Sequence, residues 1–188
     1  MEKVEQIVNN LQFTQEDMNV FISLAPIMKE HIREAVERAA KILTKDEDAL
    51  KVLVANGMDI PQAVDFWTKE IGDMFFAENQ STDYLEGLYG FLQRNRKTAS
   101  ILIDRGAEVD LGMQIIIVLM ASMYEVLKKY VPVSAESTQT FFKVAIVMLT
   151  IFAYVYRQEQ DKRQRALMKS LGISENLLER LVKVEKNT

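Results

Sequence analysis

Two stretches in the C-terminal half leave little choice of architecture. "MQIIIVLMASM" at 113–123 and "VAIVMLTIFAYVY" at 144–156 are apolar nearly all round at helical spacing. A helix of that kind sits at the centre of a large core, in an oligomer interface or in a membrane. Gln114 and Lys143 interrupt the runs. Neither reaches the roughly 18 uninterrupted apolar residues of a spanning helix. The reading is therefore a pair of central helices, with a membrane-associated helical protein as the alternative.

The rest of the chain agrees with an all-α fold. Only 7 Gly and 3 Pro punctuate 188 residues, and no stretch alternates cleanly between apolar and polar. Thr14, with Asp17 three residues on, predicts a weak capping box ahead of a short apolar stripe. Pro26 predicts a fresh helix start, running to about Leu43. Asp46 caps a short helix that Asn56-Gly57 ends, and Asp59 with Pro61 opens one reaching Phe75-Phe76. After the polar "AENQSTD", Ser81 or Thr82 caps a helix to Gly106. Gly87 and Gly90 make that helix irregular or mark a close contact. Ser134 opens the last long helix, Gly172 breaks it, and Ser174-Glu175 begins a short final one. The expected organisation is one domain over 1–188, with its core in 12–160 and a helical extension over 161–188.

Composition narrows the chemistry. There is no Cys and one His, so thiolate sites, zinc constellations and nucleophile–base pairs have almost no material. No Gly-rich phosphate loop, HExxH or GxSxG is present. An enzyme is not expected, nor a metal site. Net charge −4 and pI about 5.2 give no nucleic-acid footprint. The polar N-terminus "MEKVEQIVNN" lacks the apolar core of a secretion signal, so a cytoplasmic location is expected. The Asn79-Gln80-Ser81 triplet then carries no meaning. "QRNRK" at 93–97 reads as a solvated helix face or as a surface for an anion or acidic partner. His31 shares a helix face with Ile27, Ile32 and Ala35. It reads as a half-buried structural histidine, or as a ligand or pH sensor.

Several segments together resemble the globin domains of globin-coupled sensors. "FTQEDMNVFISLAPIMKEHIREAVERAAKIL" is similar to their opening, with Leu24-Ala25-Pro26-Ile27-Met28 as the turn into the long helix. "FWTKEIGDMFF" at 66–76 stands at their middle helix. "ILIDRGAEVDLGMQIII" at 101–117 is similar to their glycine-centred stretch through Gly106, and the two apolar helices fall at their dimer interface. The resemblance covers about residues 10–160.

It implies a globin-like domain that homodimerises through its two long C-terminal helices, and the departures imply its function. Where the sensors hold haem iron by histidine, this chain has Leu102, or Asn95 if aligned from Tyr84, and no histidine follows His31. Ala39-Ala40 replaces an aromatic pair, and Phe66 stands where a small polar group meets oxygen. Met113 is a weak substitute ligand for iron. The expectation is a haem-free sensory or regulatory domain of bacterial signal transduction, without cofactor. It resembles the sporulation-inhibitory and stressosome sensor domains, and a fatty-acid-like apolar ligand and a signalling partner are implied by them. The alternative is a haem-binding oxygen sensor. The expected pocket comprises Ala39, Ala40, Leu43, Ala63, Phe66, Leu102, Met113 and Ile117, unless Phe66, Trp67 and methionines fill it. The segments 157–170 and "GISENLLERL" hold no effector sequence, so the chain is a stand-alone sensor or the sensory module of a longer protein.

Overall fold

The computed structural model describes residues 2–76, 84–131 and 134–172. Every regular element among them is helical: α1 (Glu2–Asn10), α2 (Gln15–Leu43), α3 (Glu47–Leu53), a 3₁₀ turn (Ala55–Gly57), α4 (Ile60–Phe75), α5 (Tyr84–Asp104), α6 (Val109–Tyr130) and α7 (Ala135–Ser170). The expected Ser81 or Thr82 cap and the short helix after Ser174 lie outside the described residues.

Helix starts follow local chemistry. The Thr14 side chain accepts from the Asp17 amide while Asp17 accepts from the Thr14 amide, a complete capping box. Asp46 caps α3, Asp59 and Gln62 form a second box ahead of α4, and Ser134 caps α7. Stops follow too. Asn56, Gly57, Gly106 and Gly172 all take positive φ, where a helix cannot continue.

Three expectations are corrected. Pro26 does not begin a helix; it lies inside the unbroken α2. Its ring removes one backbone hydrogen bond. The buried stripe Met18, Phe21, Leu24, Met28 and Ile32 runs straight through that point, and its burial outweighs the lost bond. Second, α1 had no counterpart in the sequence reading, yet its Val8 is wholly buried. Third, α5 passes Gly87 and Gly90 without a break, and what a side chain at 90 would meet is the guanidinium of Arg94 on the same helix.

α2 packs on α4 and α6, α5 on α7, and α6 on α7, around one continuous apolar cluster from Val8 to Tyr156. Partners far apart in sequence thus outnumber simple neighbours, unlike an up-and-down bundle. Lys143 of α7 reaches the Asp17 carboxylate at 3.1 Å, and Thr140 donates to it at 3.4 Å, pinning the start of α2 to α7. The basic run on α5 is spent within the chain. Arg94 donates to the Met74 carbonyl, Lys97 pairs with Glu70 and Arg96 with Glu159. Asn95, inside that run, is buried and donates to Phe91.

Candidate functional site: an apolar crevice and an exposed helix pair

Small residues on the C-terminal half of α2 face small residues at the start of α4. Ala39, Ala40 and Leu43 meet Ala63 and Val64, with Trp67 and Ile71 behind them and Ile115 and Leu119 of α6 as the floor. What remains between them is a crevice of about 30 Å³, with Thr44 its one polar wall residue. That space takes one or two methyl groups, whereas drug-sized ligands occupy roughly 300–1,000 Å³.

Four of the eight expected pocket residues, Ala39, Ala40, Leu43 and Ala63, converge here. The other four do not line it. Phe66 stands edge-on to Trp67 beneath the Arg105 guanidinium. Leu102 is buried in the core from α5, Met113 is half-buried, and Ile117 is 49% exposed on the outer side of α6. Small residues at helical spacing marked the α2 and α4 walls. The error for Met113 and Ile117 was one of helix phase, since Ile115 and Leu119 supply the α6 wall.

The fourth wall was not foreseen. Leu53 and Val54 at the end of α3 close the crevice, beside Ile60 at the start of α4. Arg105 Nη1 donates to the carbonyls of Val52 and Leu53, each at 3.1 Å, and Trp67 Nε1 donates to Leu53 at 3.3 Å. The guanidinium lies 4.2 Å from the Phe66 ring centre and 5.0 Å from that of Trp67. Burial pulls the Arg105 pKa below its ordinary value, partly offset by Glu70.

His31 is not in the crevice. Its ring stacks on Tyr130 at 3.6 Å, and the Tyr130 hydroxyl donates to Glu34, which also pairs with Lys129. Among the described residues, no three His, Asp or Glu side chains converge to hold a metal ion.

The second feature is a surface. α6 and α7 run antiparallel, with Gly112 against Tyr156 at one end and Tyr124 5.1 Å from Phe142 at the other. Phe142 at that contact, and Ile117 and Ile146 between the two ends, are 50%, 49% and 48% exposed. No charged residue occurs from Leu111 to Tyr124 or from Val144 to Tyr156. Both helices are long and apolar enough to cross a membrane, and about half of the apolar stretch of each is buried in the fold. α7 continues well beyond α6. Its 36 residues span about 54 Å against about 33 Å for the 22 of α6. Arg163, paired with Asp104 and Ser100, ties the overhang down.

No protein-family model matches this chain, and neither does any curated protein.

Proposed function

We propose that this chain is a haem-free, globin-like regulatory domain that homodimerises through the exposed face of α6 and α7, and that the α7 overhang carries a change in dimer packing to a signalling partner. The observation that carries this reading is the uncharged apolar surface around Ile117, Phe142 and Ile146. Solvent contact of such a face is costly, at about 25 cal/mol per Å². A second copy placed by a two-fold axis would cover it with the same residues and form a four-helix bundle. Distant pairing of α2 with α6 and α5 with α7 supports a crossed, globin-like arrangement. The haem-free part rests on Leu102 and Asn95 at the proximal positions and on His31, stacked on Tyr130. The ligand in this reading is a small apolar or fatty-acid-like molecule, taken at the crevice beside Ala39 and Ala40. A ligand shifts the dimer only if it binds two packings with different affinity. A cytoplasmic location belongs to the same proposal.

Sedimentation equilibrium tests the core of it. The expected result is a dimer that Ile146→Glu converts to a folded monomer, indifferent to liposomes. A wild-type monomer at tens of micromolar would overturn it. Co-sedimentation with liposomes would favour the second reading, a membrane-associated protein, to which the two span-length helices point. A Soret band after expression with added haem would establish the oxygen-sensor alternative.

A further inference from the structure

One wall of the crevice is built differently from the other three. The walls from α2, α4 and α6 are parts of helices of 29, 16 and 22 residues seated in the core. The fourth wall differs in four ways. α3 has only 7 residues, and its outward positions, Glu47, Asp48 and Lys51, are exposed. It is joined to α4 through two consecutive residues with positive φ, Asn56 at 67° and Gly57 at 75°. Its other flank borders an open hollow of about 560 Å³ between Asp46, Asp48, Lys51 and the start of α6, so there is space to move into. Finally, its C-terminal carbonyls are held by two side chains from outside it, Arg105 just past the end of α5 and Trp67 of α4, each reaching Leu53.

We infer that the segment 46–59 is a hinged cover over the apolar crevice, latched by Arg105, and that its opening admits one linear apolar chain between α2 and α4. The cover rests on the reading of the crevice as a ligand site only for that last clause. The hinge is the Asn56-Gly57 pair, where backbone rotation costs least at Gly57. Inward, Ala49, Val52 and Leu53 are buried, so closure is the ground state. Opening breaks both Arg105 bonds and the Trp67 bond together and exposes the apolar faces of Ala39, Leu43 and Trp67. An acyl chain laid along those faces replaces the contacts that Leu53 and Val54 give up. Arg105 is a positioning residue here. Its planar guanidinium, stacked on Phe66, presents one terminal nitrogen to two carbonyls, and a lysine ammonium cannot stack in that way.

Trp67 is the only tryptophan in the chain and lines the crevice, so its emission reports on the site directly. The test is amide hydrogen exchange with mass spectrometry on the full chain, for wild type, Arg105→Lys and Arg105→Ala, with decanoic acid as the probe ligand. The expected result is exchange over 46–58 at least tenfold faster than in α2 and α6. Loss of the Arg105 bonds should accelerate it by roughly another tenfold, leaving α6 unchanged. Decanoic acid should shift Trp67 emission and slow exchange in that segment. If 46–58 exchanges only as fast as α6 in wild type and in Arg105→Lys, the segment opens by global unfolding alone and the cover is overturned. Should Arg105→Ala fail to fold, Arg105→Lys and acrylamide quenching of wild-type Trp67 still decide the matter. If the exchange pattern holds but decanoic acid moves neither readout, the cover stands. The apolar-chain clause then falls, together with the ligand reading of the crevice.

Discussion

The ring of Tyr156 fills the space that any side chain on Gly112 would need. A Cβ at position 112 would lie 2.9 Å from Tyr156 Cε2. The ring is wholly buried, and its hydroxyl donates to the carbonyl of Ala107. The ring can lie against the α6 backbone here only because residue 112 has no side chain. Gly112→Ala is therefore expected to destabilise despite the roughly 1 kcal/mol it gains in helix propensity. Overpacking against a stiff aromatic costs about 1–3 kcal/mol, and a net loss of about 1–2 is expected in urea unfolding.

The same hydroxyl sets an alkaline limit. Burial pushes the Tyr156 pKa up to about 12, with Arg163 opposing and Glu108 adding to the shift. The folded protein keeps this proton while an unfolded tyrosine loses it near 10. The contribution to stability is complete below pH 10 and is lost as pH rises toward 12. Tyr156→Phe is expected to remove that part of the pH dependence. At neutral pH it costs about 1–3 kcal/mol, because the Ala107 carbonyl loses its partner. Unfolding midpoints between pH 8 and 11.5 check both.

Asp17 sets the acid limit. Burial raises its pKa, but the Thr14 amide, the Lys143 ammonium and the Thr14 hydroxyl together outweigh burial and hold it below the ordinary 3.8. Its contribution is present above that value and is lost as pH falls through the lower folded value. Asp17→Asn is expected to cost about 1–2 kcal/mol at pH 7, through the cap and the half-buried pair with Lys143. It should also flatten the loss of stability below pH 4. A Lys143→Met variant should show a smaller deficit at pH 7 and the same flattening in part. Urea midpoints from pH 2.5 to 7 distinguish them.

Ala39 and Ala40 are adjacent but not equivalent. Ala39 is buried and Ala40 half-buried at the crevice wall. With about 30 Å³ to spare, Ala39→Phe is expected to cost about 1–3 kcal/mol or more, while Ala40→Phe turns partly outward and costs less than 1. Thermal melts of the two variants check the difference. Equal and large losses would mean that Ala40 is packed as tightly as its neighbour.

At the outer face of α7, the proposed dimer predicts that Ile146→Glu raises its dissociation constant at least a hundredfold, about 2.7 kcal/mol. It should leave monomer stability within about 0.5 kcal/mol, since Ile146 is half exposed within the fold. Concentration-dependent sedimentation reads the first, and urea unfolding at low concentration the second.

The caps at Thr14, Asp46, Asp59 and Ser134, the stops at Gly57, Gly106 and Gly172, and the all-α character are legible in the sequence. Each depends on groups within a few residues of one another, or on a period of 3.6. Four of the fourteen crevice residues are legible for the same reason: Ala39, Ala40, Leu43 and Ala63 are small or apolar residues on predictable helix faces. The misses are of another kind. Pro26 stays inside α2 because the buried stripe from Met18 to Ile32 packs on other helices. Lys143 interrupts an apolar run in sequence, yet in the fold it is the partner of Asp17, 126 residues away. The basic run at 93–97 reads as a solvated face, and Lys97 is exposed, but Arg94 turns in to the Met74 carbonyl and Asn95 is buried. Arg105 lies 52 residues from the carbonyl of Leu53. Local composition determined where helices begin and end and which faces are apolar. Only tertiary packing decided which of those faces meet and which polar groups desolvate one another, because those energies arise between residues that chain order does not bring together.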